Sequence, residues 1–150
     1  MFRAKQFYRL VAGYHLYNEY VIICCKAGEP MYELVFYETI SGEQPVGDFV
    51  EELDRKAATD KSARTQLKQV IFHLDLLAEA GTRIGTRYAK HLEGEIWELT
   101  PGDNRVLFFI WTGRRFVLLH TFRKTTQKTP PQEIARAKRE MNDWLTRHPE

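Results

Sequence analysis

The chain of 150 residues is poor in cysteine, and its two cysteines, Cys24 and Cys25, are adjacent. Neighbouring cysteines rarely reach the geometry of a disulfide with each other, so the sequence excludes a disulfide framework and a CxxC redox site. The five histidines, at positions 15, 73, 91, 120 and 148, show no spacing typical of metal ligands. We therefore expect a protein of the reducing cytoplasm that uses no cofactor and no metal.

Long apolar segments are also absent. The longest uninterrupted apolar runs, residues 20–25 and 106–111, have six residues each, whereas a helix that spans a bilayer needs about 20. We therefore expect no membrane contact. A single domain of this length buries ~70% of its unfolded surface, which is enough for a core that needs no disulfide or metal.

Charge is balanced overall but unevenly distributed. The net charge is +2, yet residues 31–81 hold five Lys/Arg against ten Asp/Glu, and residues 82–150 hold 13 against eight. Five cations follow Gly113 without an acidic residue among them, and Arg105 lies just after a predicted turn. The five are Arg114, Arg115, Arg123, Lys124 and Lys128.

Three short apolar runs predict the central sheet. Residues 96–99, 106–111 and 116–122 are rich in β-branched and aromatic residues and are too short for buried helices. Turn residues separate them at positions 101–104 and 112–113. The runs therefore predict an antiparallel meander of three strands, and its cationic ends indicate a phosphate ligand.

Helical patterns flank the meander. Pro45 fits the first turn of a short helix, and a second helix follows Asp60 and ends at Gly81. Thr129 is predicted to cap a last helix, with Pro130 at its first position. The apolar face of that helix consists of Ile134, Ala137, Met141, Trp144 and Leu145.

These patterns predict an α+β fold. A strand over residues 32–37 comes first, the helical hairpin covers one face of the sheet, and the last helix follows the meander. Residues 82–91 are predicted to be a cationic loop.

Residues 1–30 lack this regularity. They contain both cysteines and several tyrosines without a clear period. Residues 27–29, Ala-Gly-Glu, can be encoded by a purine-rich sequence of the ribosome-binding type just before the Met31 codon. We therefore expect residues 1–30 to be an irregular extension upstream of a true start at Met31, and residues 31–147 to form the domain. The alternative is a real N-terminal strand or arm.

Two stretches carry a resemblance to a known family. KHLEGEIWELTPGDNRVLFFI and LLHTFRKTTQKTPPQEIARAKREM resemble the RelE/ParE superfamily of small toxins, and more closely its phage-derived HigB-like branch. The specific pieces are Trp97-Glu98-Leu99, Arg105, and Phe122-Arg123-Lys124-Thr125 followed by Thr129-Pro130. The resemblance extends from Met31 to about Trp144 and independently supports Met31 as the start.

The resemblance implies the RelE-like fold and the toxin of a type II toxin–antitoxin pair. Such a toxin enters the ribosomal A site, cuts mRNA and inhibits translation. Its antitoxin in the HigB-like branch is usually a helix-turn-helix protein of the adjacent gene. Arg105 lies where the superfamily has its transition-state arginine, and Lys124 with Arg123 occupies the C-terminal cationic position. Glu98 replaces a lysine of RelE, so the acid–base assignment does not carry over there.

RNA cleavage without metal needs a group that stabilises a dianionic phosphorane after attack by the 2′-hydroxyl. Guanidinium groups bind two phosphate oxygens and stay charged, so Arg105 is the first catalytic candidate, with Arg123 or Lys124 second. Candidate proton-transfer groups are Glu98, His120 and Lys90. Candidates for binding the RNA backbone are Lys90, Arg83, Arg87, Arg114, Arg115 and Lys128.

Several candidates have a purely structural alternative. Arg105 could form a salt bridge at the turn, and Glu98 could orient it rather than act as a base. Simple alternation places His120 on the side of Phe116, Leu118 and Phe122, where it could be a satisfied core or edge histidine. The loop cations could simply be solvated.

Two other functions compete with the nuclease. One is a non-catalytic ParE-like toxin that binds DNA gyrase, and the other is an inert phage-derived domain that only binds an antitoxin. The nuclease hypothesis requires Arg105 and the Arg123/Lys124 pair to converge on one hollow of the sheet. If these cations lay on opposite sides of the molecule, the nuclease hypothesis would lose its physical basis, and only the resemblance to the family would support it.

Overall fold

A computed structural model describes residues 15–17, 20–22 and 31–149. The described strands are β1 (His15–Tyr17), β2 (Tyr20–Ile22), β3 (Glu33–Phe36), β4 (Ala89–Glu93), β5 (Ile96–Leu99), β6 (Asn104–Thr112) and β7 (Arg115–Arg123). The helices are α1 (Pro45–Lys56), α2 (Lys61–Ala80) and α3 (Pro131–Arg147), and a 3-10 turn covers Gly81–Ile84. The predicted α+β fold is confirmed.

The seven strands form one sheet in the order β1-β2-β3-β7-β6-β5-β4. Neighbours are antiparallel except β3 and β7, which are parallel. The predicted meander is β5, β6 and β7. The predicted loop over residues 82–91 is wrong at its end, because β4 begins at Ala89. Its sequence, AKHLE, has no β-branched residue, and the strand lies at a sheet edge with a bulge between His91 and Glu93, so the usual strand signals are missing.

The helical hairpin covers one face of the sheet, as predicted. Val46 of α1 and Val70 and Leu77 of α2 are completely buried in a core that also contains Leu99 and Phe108 of the sheet. The hairpin forms because each helix has a single apolar face, and both faces are buried against the same side of the sheet. At the start of α2 the Asp60 carboxylate accepts hydrogen bonds from the backbone N–H groups of residues 62 and 63, which are otherwise unpaired in a first turn.

Helix α3 covers the opposite face. Ala137 and Trp144 are buried there against residues of β3, β6 and β7, and Met141 packs beside them. Near the C-terminus of α3, Asp143 accepts a hydrogen bond of 2.6 Å from the hydroxyl of Tyr37, the residue after β3. Burial and this hydrogen bond raise the pKa of Tyr37 to about 12. Leu145 was predicted on the apolar face, but it is exposed, because the buried stripe of residues 137, 141 and 144 leaves it at the margin.

The start of α3 differs from the prediction by one residue. The helix begins at Pro131, and Pro130 occupies the N-cap position without a side-chain hydrogen bond. The predicted Thr129 cap is therefore wrong, since a threonine two residues before a helix cannot fill that position.

A bulge in β7 decides which way His120 points. Leu107 of β6 lies opposite His120, and the next residue, Phe108, lies opposite Leu118, so Leu119 is an extra residue in β7. An extra residue shifts the alternation of the strand. The prediction that His120 shares a face with Phe116 and Leu118 is therefore wrong: those two pack under the helical hairpin, whereas His120 faces α3.

Residues 1–30 were expected to be irregular, and the structure describes two short strands among them. β1 pairs with β2, and β2 pairs with β3, where Tyr20 lies opposite Val35. The remaining positions, including Cys24 and Cys25, lie outside the described residues. The boundary at Met31 and the start of translation there stay predictions. Among the described residues, no helix has the length and apolarity to cross a membrane.

The buried centre of β7 should dominate stability. We expect Leu118→Ala, at a completely buried position, to lower the free energy of unfolding by about 2–5 kcal/mol, because it removes apolar contacts and leaves a cavity. The matched change Leu145→Ala, at an exposed position, should stay within about 0.5 kcal/mol. Chemical denaturation measures both, and equal losses would contradict the described core.

His73 makes stability depend on pH. Burial lowers the pKa of His73 from its ordinary 6.5, and the Arg105 charge lowers it further, while the hydrogen bond to the Gln69 carbonyl opposes both. Below about pH 6.5 the unfolded chain binds a proton that folded His73 does not, so stability falls as pH falls towards the lowered pKa. The melting temperature should drop more between pH 7.5 and 5 for the unaltered protein than for His73→Gln. Parallel pH profiles would refute this.

Candidate functional site

Three charged side chains meet on the α3 face of the sheet, near the end marked by the β5–β6 turn. Glu98 lies opposite both Lys90 of β4 and Leu107 of β6, and Arg105 lies two residues before Leu107, on the same face. The Glu98 Oε1 atom is 3.8 Å from Lys90 Nζ and 3.7 Å from Arg105 Nε. Neighbouring strands therefore place one carboxylate between two cations.

Thr129 completes this arrangement. Its hydroxyl donates a hydrogen bond to Oε2 of Glu98, so the residue that does not cap α3 instead connects the loop before α3 to the sheet. We call Lys90, Glu98, Arg105 and Thr129 the Glu98 cluster. The sequence predicted that Thr129 caps the last helix, not that it binds Glu98. Its place in the Thr129-Pro130 pair, which resembles the family, was the one sequence signal of a further role.

Glu98 is unusually buried for a carboxylate, with 3% of its side chain exposed, and Arg105 is 11% exposed. A buried charge is stable only when opposite charge and hydrogen bonds replace its lost hydration. The Glu98 cluster provides both. The structure thus places Glu98 where the structural alternative expected it, next to Arg105.

The β5–β6 turn fixes the direction of Arg105. Its Nη1 atom donates to the carbonyl oxygens of Gly102 and Asn104, each at 2.7 Å. Its Nε faces Glu98, and Nη2 makes no hydrogen bond with the described residues. Gly102 has φ +61, and a Cβ there would overlap the Gln69 side chain, so the turn needs glycine at this position.

The C-terminal cations do not act as a pair. Arg123 lies opposite Asn104, whose side chain contacts Gln66 of α2, so Arg123 belongs to the α2 face. Lys124 N donates to the Asp103 carbonyl at 2.8 Å, which continues the ladder by one step. Strand alternation therefore predicts the Lys124 side chain on the face of Arg105. The expected convergence of Arg105 with both residues is wrong for Arg123, because adjacent strand residues point to opposite faces.

His120 lies outside the Glu98 cluster. It is completely buried, its Nε2 is 2.8 Å from Glu133 Oε2, and its Nδ1 contacts Glu140 Oε1. Both ring nitrogens are thus held by carboxylates of α3, and the residue anchors that helix to β7. Sequence reasoning missed Glu133 and Glu140, although helical spacing places them beside Ala137 and Trp144, at the margin of the buried stripe.

The remaining candidate cations are dispersed. Arg114 is exposed in the β6–β7 turn, and Arg115 pairs with Glu33 at 3.0 Å; both are at the far end of β6 from Arg105. Arg83 and Arg87 are exposed between α2 and β4, where the Arg87 guanidinium lies over the Tyr88 ring. Lys128 is exposed directly before Thr129. Only Lys128 among these adjoins the Glu98 cluster in sequence.

The aromatic residues of β5 and β6 mainly build the core. Phe108 and Phe109 are buried in the clusters on opposite faces of the sheet. Trp97 and Trp111 are partly buried against the same clusters. Among the described residues, no group of three or more His, Cys, Asp and Glu side chains could hold a metal ion.

Comparison with known proteins identifies a family. The family described as phage-derived protein Gp49-like (DUF891) matches residues 52–142, from the middle of α1 to the last third of α3. A search of curated proteins found no match. The matched segment is more than half of the chain and contains the entire Glu98 cluster. The chain therefore belongs to the phage-derived Gp49-like family (DUF891).

Proposed function

We propose that this protein is the toxin of a type II toxin–antitoxin pair and that it inhibits translation as a ribosome-dependent mRNA endonuclease. The Gp49-like family comprises RelE-like toxins associated with toxin–antitoxin systems, which supports a toxin with an antitoxin partner. The finer part, mRNA cleavage on the ribosome in the cytoplasm with a helix-turn-helix antitoxin encoded by the adjacent gene, rests on the resemblance to the HigB-like branch.

One observation carries the catalytic part of the proposal. Arg105, Lys90 and Lys124 belong to one face at one end of the sheet, so a single phosphodiester can contact more than one cation. This end is also where the cationic loop before α3 begins. Groups aimed in advance at developing charge are usually the largest contribution to catalysis.

Arg105 is the proposed stabiliser of the phosphorane. The 2′-oxygen attacks phosphorus, the bond from phosphorus to the 5′-oxygen breaks, and two negative charges accumulate on the non-bridging oxygens in between. The Gly102 and Asn104 carbonyls hold the guanidinium before substrate arrives, which leaves Nη2 to donate to one of those oxygens.

In this proposal one exposed amine, in its neutral form, accepts the 2′-hydroxyl proton, and the other, as an ammonium group, gives a proton to the leaving 5′-oxygen. Lys90 is 42% exposed at the edge of the Glu98 cluster, and Lys124 is exposed at the end of β7. Glu98 is a positioning residue, because its oxygens already face two cations and the Thr129 hydroxyl. His120 has no part in the proposed chemistry, since both its ring nitrogens are engaged by carboxylates.

Loss of the Arg105 charge should abolish toxicity. We expect Arg105→Gln to lower the cleavage rate by roughly 10²–10³, because a preorganised donor to the phosphorane is removed. Growth after induction and primer extension on cellular mRNA measure the effect. The control Arg139→Gln removes an exposed arginine of α3 outside the Glu98 cluster and should remain toxic. Growth arrest with intact mRNA and altered DNA supercoiling would instead favour the gyrase-binding alternative.

Thr129 should act through Glu98. We expect Thr129→Val, which keeps the shape but removes the donor, to lower kcat with little change in KM, and to cost ~1–3 kcal/mol of stability because a buried carboxylate loses a hydrogen bond. Thr129→Ser keeps the hydroxyl and should restore both. Ribosome-bound mRNA cleavage and thermal unfolding are the measurements, and a serine variant as impaired as the valine variant would refute the role of the hydroxyl.

A further inference from the structure

A polar groove lies on the sheet face opposite the Glu98 cluster. It has a volume of about 520 Å³ and runs between the first half of α2 and the β5–β6 turn. We call it the α2 groove. Its lining includes Lys61, Ser62, Gln66, Gln69, Asn104 and Arg123.

The walls of the α2 groove are joined at two points. The Asn104 amide donates to Gln66 Oε1 at 3.0 Å, and the close approach of Gly102 to Gln69 leaves no room for a Cβ. The Asp60 cap fixes the helical turn that carries Lys61 and Ser62. The groove is thus built by contacts within the fold, and a ligand need not order it.

The residues of the lining favour a polar, anionic occupant. Every lining residue is polar, charged or glycine. Lys61 and Arg123 are cations, and hydroxyl and amide groups lie between them. Arg123 Nη2 is 3.6 Å from the Asp103 carboxylate, and both side chains are largely exposed, so this pair is weak and another anion can replace Asp103. Cations with hydroxyl and amide donors are the groups that bind the sugar–phosphate backbone of nucleic acids.

The α2 groove is next to the proposed catalytic face. Asn104 pairs with Arg123, and the following residue, Arg105, pairs with Phe122, so one step of the β6–β7 ladder separates the residues of the two faces. The β5–β6 turn and the end of β7 lie between the two cationic regions at this end of the described sheet. A flexible single strand can pass around such a turn.

We propose that the α2 groove binds the backbone of a single-stranded RNA, the same chain whose scissile phosphodiester lies at the Glu98 cluster. Arg123 is then a binding residue rather than a catalytic one, and Lys61 is its partner across the groove. The proposal rests on the proposed function, because it takes RNA as the substrate.

Salt-dependent binding tests the α2 groove. The full-length protein is titrated with a single-stranded 2′-O-methyl RNA, which lacks the nucleophile and cannot be cleaved, and fluorescence anisotropy is read over a series of salt concentrations. For Lys61→Gln/Arg123→Gln we expect weaker binding and a salt slope shallower by about 1.4, since each lost phosphate contact with a single strand contributes about 0.7. Thermal unfolding verifies that the variant is folded.

The control is Arg55→Gln/Arg139→Gln, which removes the same charge at exposed positions outside the α2 groove. It should retain the slope of the unaltered protein. An unchanged slope for the groove variant, with RNA still bound, would overturn the α2 groove alone. Absence of RNA binding by the unaltered protein, and of mRNA cleavage on ribosomes, would overturn the proposed function and this inference together. Loss of antitoxin binding with normal RNA binding would assign the groove to a protein.

Discussion

The Glu98 carboxylate is the constraint around which the proposed site is arranged. A carboxylate in the interior loses hydration worth several kcal/mol and stays charged only if other groups replace the water. Here the replacements come from separate parts of the chain: Lys90 from β4, Arg105 from β6 and Thr129 from the loop before α3. The same contacts that replace the hydration of Glu98 therefore connect the edge strand, the turn arginine and the loop before the last helix to one another.

The alternation of β-strands then separates the cations into two sets. Arg105 and Lys124 belong to the α3 face, whereas Arg123 belongs to the α2 face with Asn104. Charge along the sequence resembles one basic cluster, but neighbouring strand residues cannot point the same way. The cations of such a run therefore lie on two faces of the sheet, and only those on one face can contact a given phosphodiester directly.

The parts of the fold that sequence predicts are those with a strong local period. The apolar stripe of α2 and the aromatic runs of β5, β6 and β7 have such a period. The structure buries these residues in its two cores, as predicted. The misses arise where contacts with another element override the local pattern. β4 has weak strand residues and is held by pairing with the next strand, β5, and Leu119 interrupts the alternation before His120. Thr129 bonds a residue 31 positions away, too far for one short window of the sequence to contain both partners.

The β5–β6 turn connects the two faces physically. The carbonyl of Gly102 holds the Arg105 guanidinium, and the α-carbon of the same residue closes against Gln69 on the other side. Asn104 likewise offers its carbonyl to Arg105 and its amide to Gln66 of α2. The backbone of this turn is therefore hydrogen-bonded to the proposed catalytic arginine on one side and in contact with α2 on the other. The groups that would bind an RNA chain on one face and stabilise its cleavage on the other are therefore positioned by the same four-residue turn.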